Sequence, residues 1–136
     1  MRFLDTNIIL RYLTRDDPVK AAACFTLFQR LDQGTEEVTL SEVHLHEVLY
    51  VLALPRQYHL THADAAARLR PIILLRGVKL PNKRIYLRGL DQYAASTQLE
   101  FGDAVALARM ESQGIKEIYS YDTDFDVYPS GVRVEP

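Results

Sequence analysis

"MRFLDTNIILRYL", residues 1–13, decides the fold. A short apolar run, a polar step at Asp5-Thr6-Asn7 and a second apolar run have the pattern of a strand, a turn and a helix, so Asp5 ends a strand. The alternation continues along the chain. "EVTL" (37–40) has strand character, and Ser41 is placed to cap the helix of "SEVHLHEVLYVLAL" (41–54). "EIYS" (117–120) and "VRV" (132–134) are further short strands around the acidic turn "YDTDFD" (121–126). Between them lie helical segments. "DDPVKAAACFTLFQRLDQG" predicts a helix from about Pro18 to Gln33, with proline at its start and glycine at its stop. "THADAAARLRPIILL" opens with a Thr-x-x-Asp cap and is expected to bend at Pro71. "NKRIYLRGLDQYAAST" and "FGDAVALARMESQG" predict two more helices, the second ended by Gly114. Strands alternating with helices imply an α/β fold with a short central parallel sheet flanked by helices.

The chain has 136 residues, the size of one domain, and 1–136 is read as a single unit. A quarter of the residues are charged and the net charge is only -2, a balance typical of a globular protein that names no partner. The single cysteine, Cys24, lies in a helical run and excludes a disulfide framework; a core position and a reducing compartment are expected. No apolar stretch is long enough to span a membrane and the start turns polar early, so the expectation is a cytoplasmic protein without a membrane partner.

In open parallel sheets ligands bind beyond the carboxyl ends of the strands. Asp5 and Asp122 both follow strands and are expected at one edge of the sheet. Two further acids stand among apolar helical neighbours, where an ionised group is rarely placed without a partner. Glu47 lies among Val43, Tyr50 and Val51, and Asp103 among Ala106, Leu107 and Met110 with Glu100 one turn earlier. Asp32, Glu36, Glu37 and Glu111 have the setting of solvated acids. Converging carboxylates raise one another's pKa unless a cation neutralises them, and oxygen-only ligands suit Mg²⁺ or Mn²⁺.

Other chemistries fail on spacing. A calcium loop begun at Asp122 would need glycine at Val127 and glutamate at Arg133. His46 and Glu47 begin a zinc-protease helix, but Tyr50 stands where the second histidine must ligate. "LDTN" lacks the second acid of an aspartyl-phosphate phosphatase, because Asn7 occupies its place. His44, His59 and His62 show no ligand spacing and are read as surface residues.

"FLDTNIIL", "SEVHLHEVLYVL", "FGDAVALA" and "YSYDTDFD", taken in order, resemble a PIN-domain ribonuclease, most closely a VapC-type toxin, over essentially the whole chain. The resemblance implies an acidic quartet at Asp5, Glu47, Asp103 and Asp122, with Asp5, Asp103 and Asp122 as metal ligands. It also implies Thr6 or Asn7 and Ser120 as polar supports, with Asp124 as an extra acid. Glu42, at the start of its helix, is the alternative to Glu47, which is preferred. The implied function is Mg²⁺- or Mn²⁺-dependent cleavage of RNA by a homodimer that a cognate antitoxin blocks; the alternative is a non-catalytic PIN-like RNA- or protein-binding module. From Ala65 to Leu90 the chain contains no acid, while Arg68, Arg70, Arg76, Lys79, Lys83, Arg84 and Arg88 are basic. Arg76, Lys79, Lys83, Arg84 and Arg88, with Tyr86 as a stacking ring, are candidate RNA contacts; a solvated helix face or a partner surface is the alternative.

Overall fold

The structure, a computed structural model, describes residues 1–128 and 131–136. Its order is β1 (Arg2–Phe3), α1 (Thr6–Thr14), α2 (Pro18–Gln33), β2 (Val38–Thr39), α3 (Glu42–Ala53), α4 (His62–Ile73), α5 (Lys83–Ala95), α6 (Phe101–Gln113), β3 (Glu117–Tyr119), a 3₁₀ turn (Thr123–Val127) and β4 (Val132–Val134). The expected α/β architecture of helices around short parallel strands is present.

Local chemistry sets several boundaries. Asp17 accepts the Lys20 N–H at 3.1 Å, Pro18 starts α2, and Gly34 ends it at φ +76°. Thr61 accepts the Asp64 N–H, and α4 runs through Pro71 to end two residues later. Gly114, at φ +68°, stops α6. Two other glycines permit close packing. A Cβ on Gly89 would stand 2.8 Å from Val105 Cγ2, so this glycine lets α5 lie against α6. A Cβ on Gly77 would stand 2.2 Å from the Glu36 carbonyl oxygen, where the chain runs beside β2.

Among the described residues the strands form two ladders rather than one continuous sheet. β1 pairs with β2, with Arg2 opposite Val38 and Phe3 opposite Thr39, and Val78 adds a parallel bridge to Val38. β3 pairs with β4 separately. Each ladder belongs to its own core. Leu4, Val38, Leu40 and Val78 join the large cluster built by Ile9, Leu45, Leu49, Leu69 and Phe101, while Ile118 packs against a smaller cluster of Leu99, Leu107, Met110, Phe125 and Tyr128. α6 touches both. Its Phe101, Ala104 and Val105 enter the first core and its Leu107 and Met110 the second. Cys24 is buried, as expected, and burial pushes its thiol above the ordinary range.

Candidate active site

Asp5 and Asp122 do follow strands, but strands of different ladders, so the expectation of one shared sheet edge is corrected to two strand ends. Both acids also cap the helical turn that comes next. Asp5 Oδ2 accepts the Asn7 N–H at 3.4 Å at the start of α1, and Asp122 Oδ1 accepts the Asp124 N–H at 2.9 Å at the start of the 3₁₀ turn. Capping favours a carboxylate there because unpaired N–H groups and the helix dipole converge on it. Ser120 Oγ accepts the Asp122 N–H at 2.9 Å and tightens the bend before that cap.

The first half of the site gathers around α1 and α3. Thr6 is the one buried polar residue among the described residues, 3% exposed, and its hydroxyl donates to Glu47 Oε2 at 3.0 Å. That bond orients Glu47. Burying a hydroxyl without a partner is costly, so the pair also protects the core. The Asn7 side chain is exposed, and its tie to the site is its backbone N–H. Glu42 instead pairs with Arg109 at 3.6 Å. The reading of Glu47 as an acid on a buried face is corrected. Val43 is 70% and Tyr50 53% exposed, and Glu47 is exposed with them. The core-facing side of α3 is Leu45, Val48, Leu49 and Leu52.

The second half gathers around Asp103, half-buried in the first turn of α6 beside the buried Leu107 and Met110. Desolvation raises its pKa, and the negative charges of Asp122, Glu100 and Asp124 raise it further, while His46 opposes them. The carboxylates of α6 and of the acidic turn therefore share one electrostatic neighbourhood, and His46 brings α3 into it.

Two histidines were misread from the sequence. His44 is half-buried: its Nδ1 lies 2.8 Å from Ser41 Oγ, its Nε2 4.0 Å from Asp5 Oδ1, and its ring meets Phe3 edge-on at 4.9 Å. His62 is also no free surface residue, since its ring stacks on Tyr93 at 3.9 Å. The legible signal for His44 was spacing, because Ser41, His44 and Glu47 follow one another at intervals of three along one helix.

The basic window is divided by acids from outside it. Arg88 pairs with Glu111 at 3.1 Å and approaches Asp91 at 3.9 Å, and Arg70 pairs with Asp91. Glu111, read as a solvated acid, also accepts from Gln92 and Tyr128 and ties the second core to α5. Arg109 stands 5.9 Å over the Tyr86 ring, so that face is covered rather than free for stacking. Lys83 Nζ donates to the Val78 carbonyl at 2.7 Å. Arg76, Lys79 and Arg84 have no ion-pair partner among the described residues.

Asp5 and Asp122 at the ends of short parallel strands, with Glu47 and Asp103 on packed helices, make up the acidic set of an α/β domain. The chain belongs to the PIN domain family, whose sequence model matches residues 2–130. PIN domains are generally nucleases, that is, hydrolases. No curated protein matches the chain closely enough to count as a relative.

The oxygen donors suit a hard divalent cation, and the like charges around Asp103 are what such a cation would neutralise. Among the described residues, however, no three His, Cys, Asp or Glu side chains are drawn together closely enough to hold one ion. Asp5, Glu47 and Asp122 are exposed, and each is held through one carboxylate oxygen, which leaves the other oxygen open to solvent. No described helix is long and apolar enough to cross a membrane.

Proposed function

We propose that the chain is a metal-dependent endoribonuclease that hydrolyses phosphodiester bonds in RNA, and the toxin of a toxin–antitoxin pair. The observation that carries the catalytic part is that the half-buried Asp103 carboxyl of a PIN domain lies within the field of Asp122, Glu100 and Asp124, acids brought from separate elements. A binding module has no use for such mutual repulsion, which costs stability unless a cation offsets it. The toxin part, with RNA as substrate, a cognate antitoxin and a homodimer, rests on the resemblance of "FLDTNIIL", "SEVHLHEVLYVL", "FGDAVALA" and "YSYDTDFD" to VapC-type toxins, and the cytoplasm as setting rests on the single cysteine and the lack of a long apolar stretch.

Asp5, Asp103 and Asp122 would hold the cation, Mg²⁺ or Mn²⁺, with Glu47 completing the acidic set. When bound, the cation supplies Lewis acidity and neutralises charge at the phosphoryl group. The chain's own residues do the rest. Thr6 fixes the Glu47 carboxylate, leaving Oε1 to accept a proton from water. Ser120 and the Asp124 N–H fix the backbone and one oxygen of Asp122. His46 offsets the crowding at Asp103.

The test is cleavage of several RNA classes, transfer RNA and ribosomal loops included, by protein freed from any co-purified partner. Cleavage is expected only with added Mg²⁺ or Mn²⁺ and is expected to stop in EDTA. Persistence in EDTA would remove the metal mechanism. Metal binding without cleavage of any RNA would favour the alternative, a PIN-like module that holds RNA or protein without cutting it.

A further inference from the structure

Alternation along β1 and β2 separates two faces. Leu4, Val38 and Leu40 turn into the core, whereas Phe3 and its register partner Thr39 turn outward, Phe3 with 59% exposure. The parallel bridge of Val78 to Val38 sets Lys79 beside Thr39 on this outward face. A cleft of about 440 Å³ opens here, with Arg76, Lys79 and Lys83 among its walls and Met1, Leu80 and Pro81 as its apolar lining. No carboxylate lines it. Nor does any carboxylate stand within ion-pair distance of these three cations among the described residues, unlike Arg70 and Arg88 of the same basic window.

Lys83 is also held. Its Nζ donates to the Val78 carbonyl, while burial and neighbouring Lys79 depress its pKa. Crowded cations without counter-charge are complementary to an anion, as crowded carboxylates are to a cation. The apolar lining beside them suits the body of a nucleotide rather than a bare inorganic ion. The face is continuous with the acids: Thr39 lies opposite Phe3, Phe3 touches the His44 ring, and His44 Nε2 faces Asp5. From Phe3 to Asp5 is two residues, about 7 Å along an extended strand.

We propose that this cleft binds a backbone phosphate of single-stranded RNA through Arg76, Lys79 and Lys83, with Phe3 as a stacking platform between the cleft and Asp5. The occupant rests on the ribonuclease reading; the cationic cleft does not. Lys83 is better left intact in tests because its bond to Val78 ties two segments together.

Binding of a labelled single-stranded RNA oligomer is measured by anisotropy in EDTA, so that nothing is cleaved, across a range of salt concentrations. For the Arg76→Gln/Lys79→Gln double variant the slope of log affinity against log salt is expected to fall by about 1.4, or about 0.7 per cation lost on a single strand. Lys79→Gln alone, at an exposed position, is expected to give about half that change. Phe3→Ala is expected to weaken the oligomer roughly 5- to 150-fold. Arg56→Gln, at an exposed cation outside the cleft, serves as the control and is expected to change nothing. An unchanged slope in the double variant, or an equal loss in Arg56→Gln, overturns the proposal. In a parallel amide NMR titration, inorganic phosphate or adenosine monophosphate that shifts Thr39 and Lys79 while the oligomer does not would overturn RNA as the occupant. A lowered slope in EDTA together with no cleavage under Mg²⁺ or Mn²⁺ would support the cleft and sink the ribonuclease reading.

Discussion

The two halves of the candidate site are built to different standards of support. Asp5, Thr6 and Glu47 stand on α1 and α3, whose inner faces join the large core through Ile9, Leu45, Val48 and Leu49. Asp122 and Asp124 stand on a short turn held by Phe125, Tyr128 and the few residues around them. Asp103 sits on α6, the helix that enters both cores. A region with few buried apolar contacts opens at lower free energy than one inside a large core, so the acidic turn is the half that fluctuates first. Rigid support on one side and a lightly held turn on the other leave the distance between the two acid pairs adjustable.

The largest effect expected is on catalysis, and it strikes both halves alike. Asp5→Asn and Asp103→Asn should each lower RNA cleavage by at least about 10²–10³-fold, the scale of removing one preorganised charged group, with circular dichroism unchanged. Wild-type rates in both would mean that the acids are not the active site.

Next, Phe125→Ala should destabilise the acidic turn by about 3–5 kcal/mol, the usual cost of emptying an aromatic site. Hydrogen exchange would then rise around β3 and β4 while α1 and α3 keep their protection. Uniform loss of protection along the chain would show a single cooperative unit and erase the contrast.

Thr6→Val keeps the volume and removes the donor to Glu47, so a loss of about 10- to 100-fold in RNA cleavage is expected, the range for losing a partner that orients a site side chain. An unaltered cleavage rate would show that Thr6 serves the core alone.

The acid crowding itself sharpens the comparison through pH. Because the folded-state pKa of Asp103 is raised, its protonated form contributes stability that is present below the ordinary carboxylate range and lost as pH rises through the folded value. In EDTA at neutral pH, Asp103→Asn should therefore melt above wild type, and the gap should close on acidification. A gap that widened in acid would reverse the sign of the electrostatic effect.

The smallest effect is expected at Arg88. Its guanidinium is committed to Glu111, so Arg88→Gln should change the salt dependence of RNA binding less than Lys79→Gln does. Equal slopes would show that the ion pair gives way to RNA.

Features set by neighbours in sequence were legible without a structure. Asp17, Pro18 and Gly34 bound α2 through bonds and dihedral preferences that act within a few residues, and "LDTN" and "YDTDFD" place acids at strand ends by pattern alone. The parallel pairing followed from the alternation of strands and helices. The exposed side of α3 was not legible, because a helix that is apolar almost all round does not say which side meets the core. Nor was the fate of the basic window. Asp91 and Glu111 reach Arg70 and Arg88 only because α4, α5 and α6 pack side by side, with Gly89 letting α5 close on Val105. Counting acids along the chain cannot register a counter-charge that arrives across a helix interface. The same holds for His46 beside Asp103 and for the carboxylate-free cleft around Arg76 and Lys79: charge complementarity depends on distance in space, and only the tertiary fold sets it.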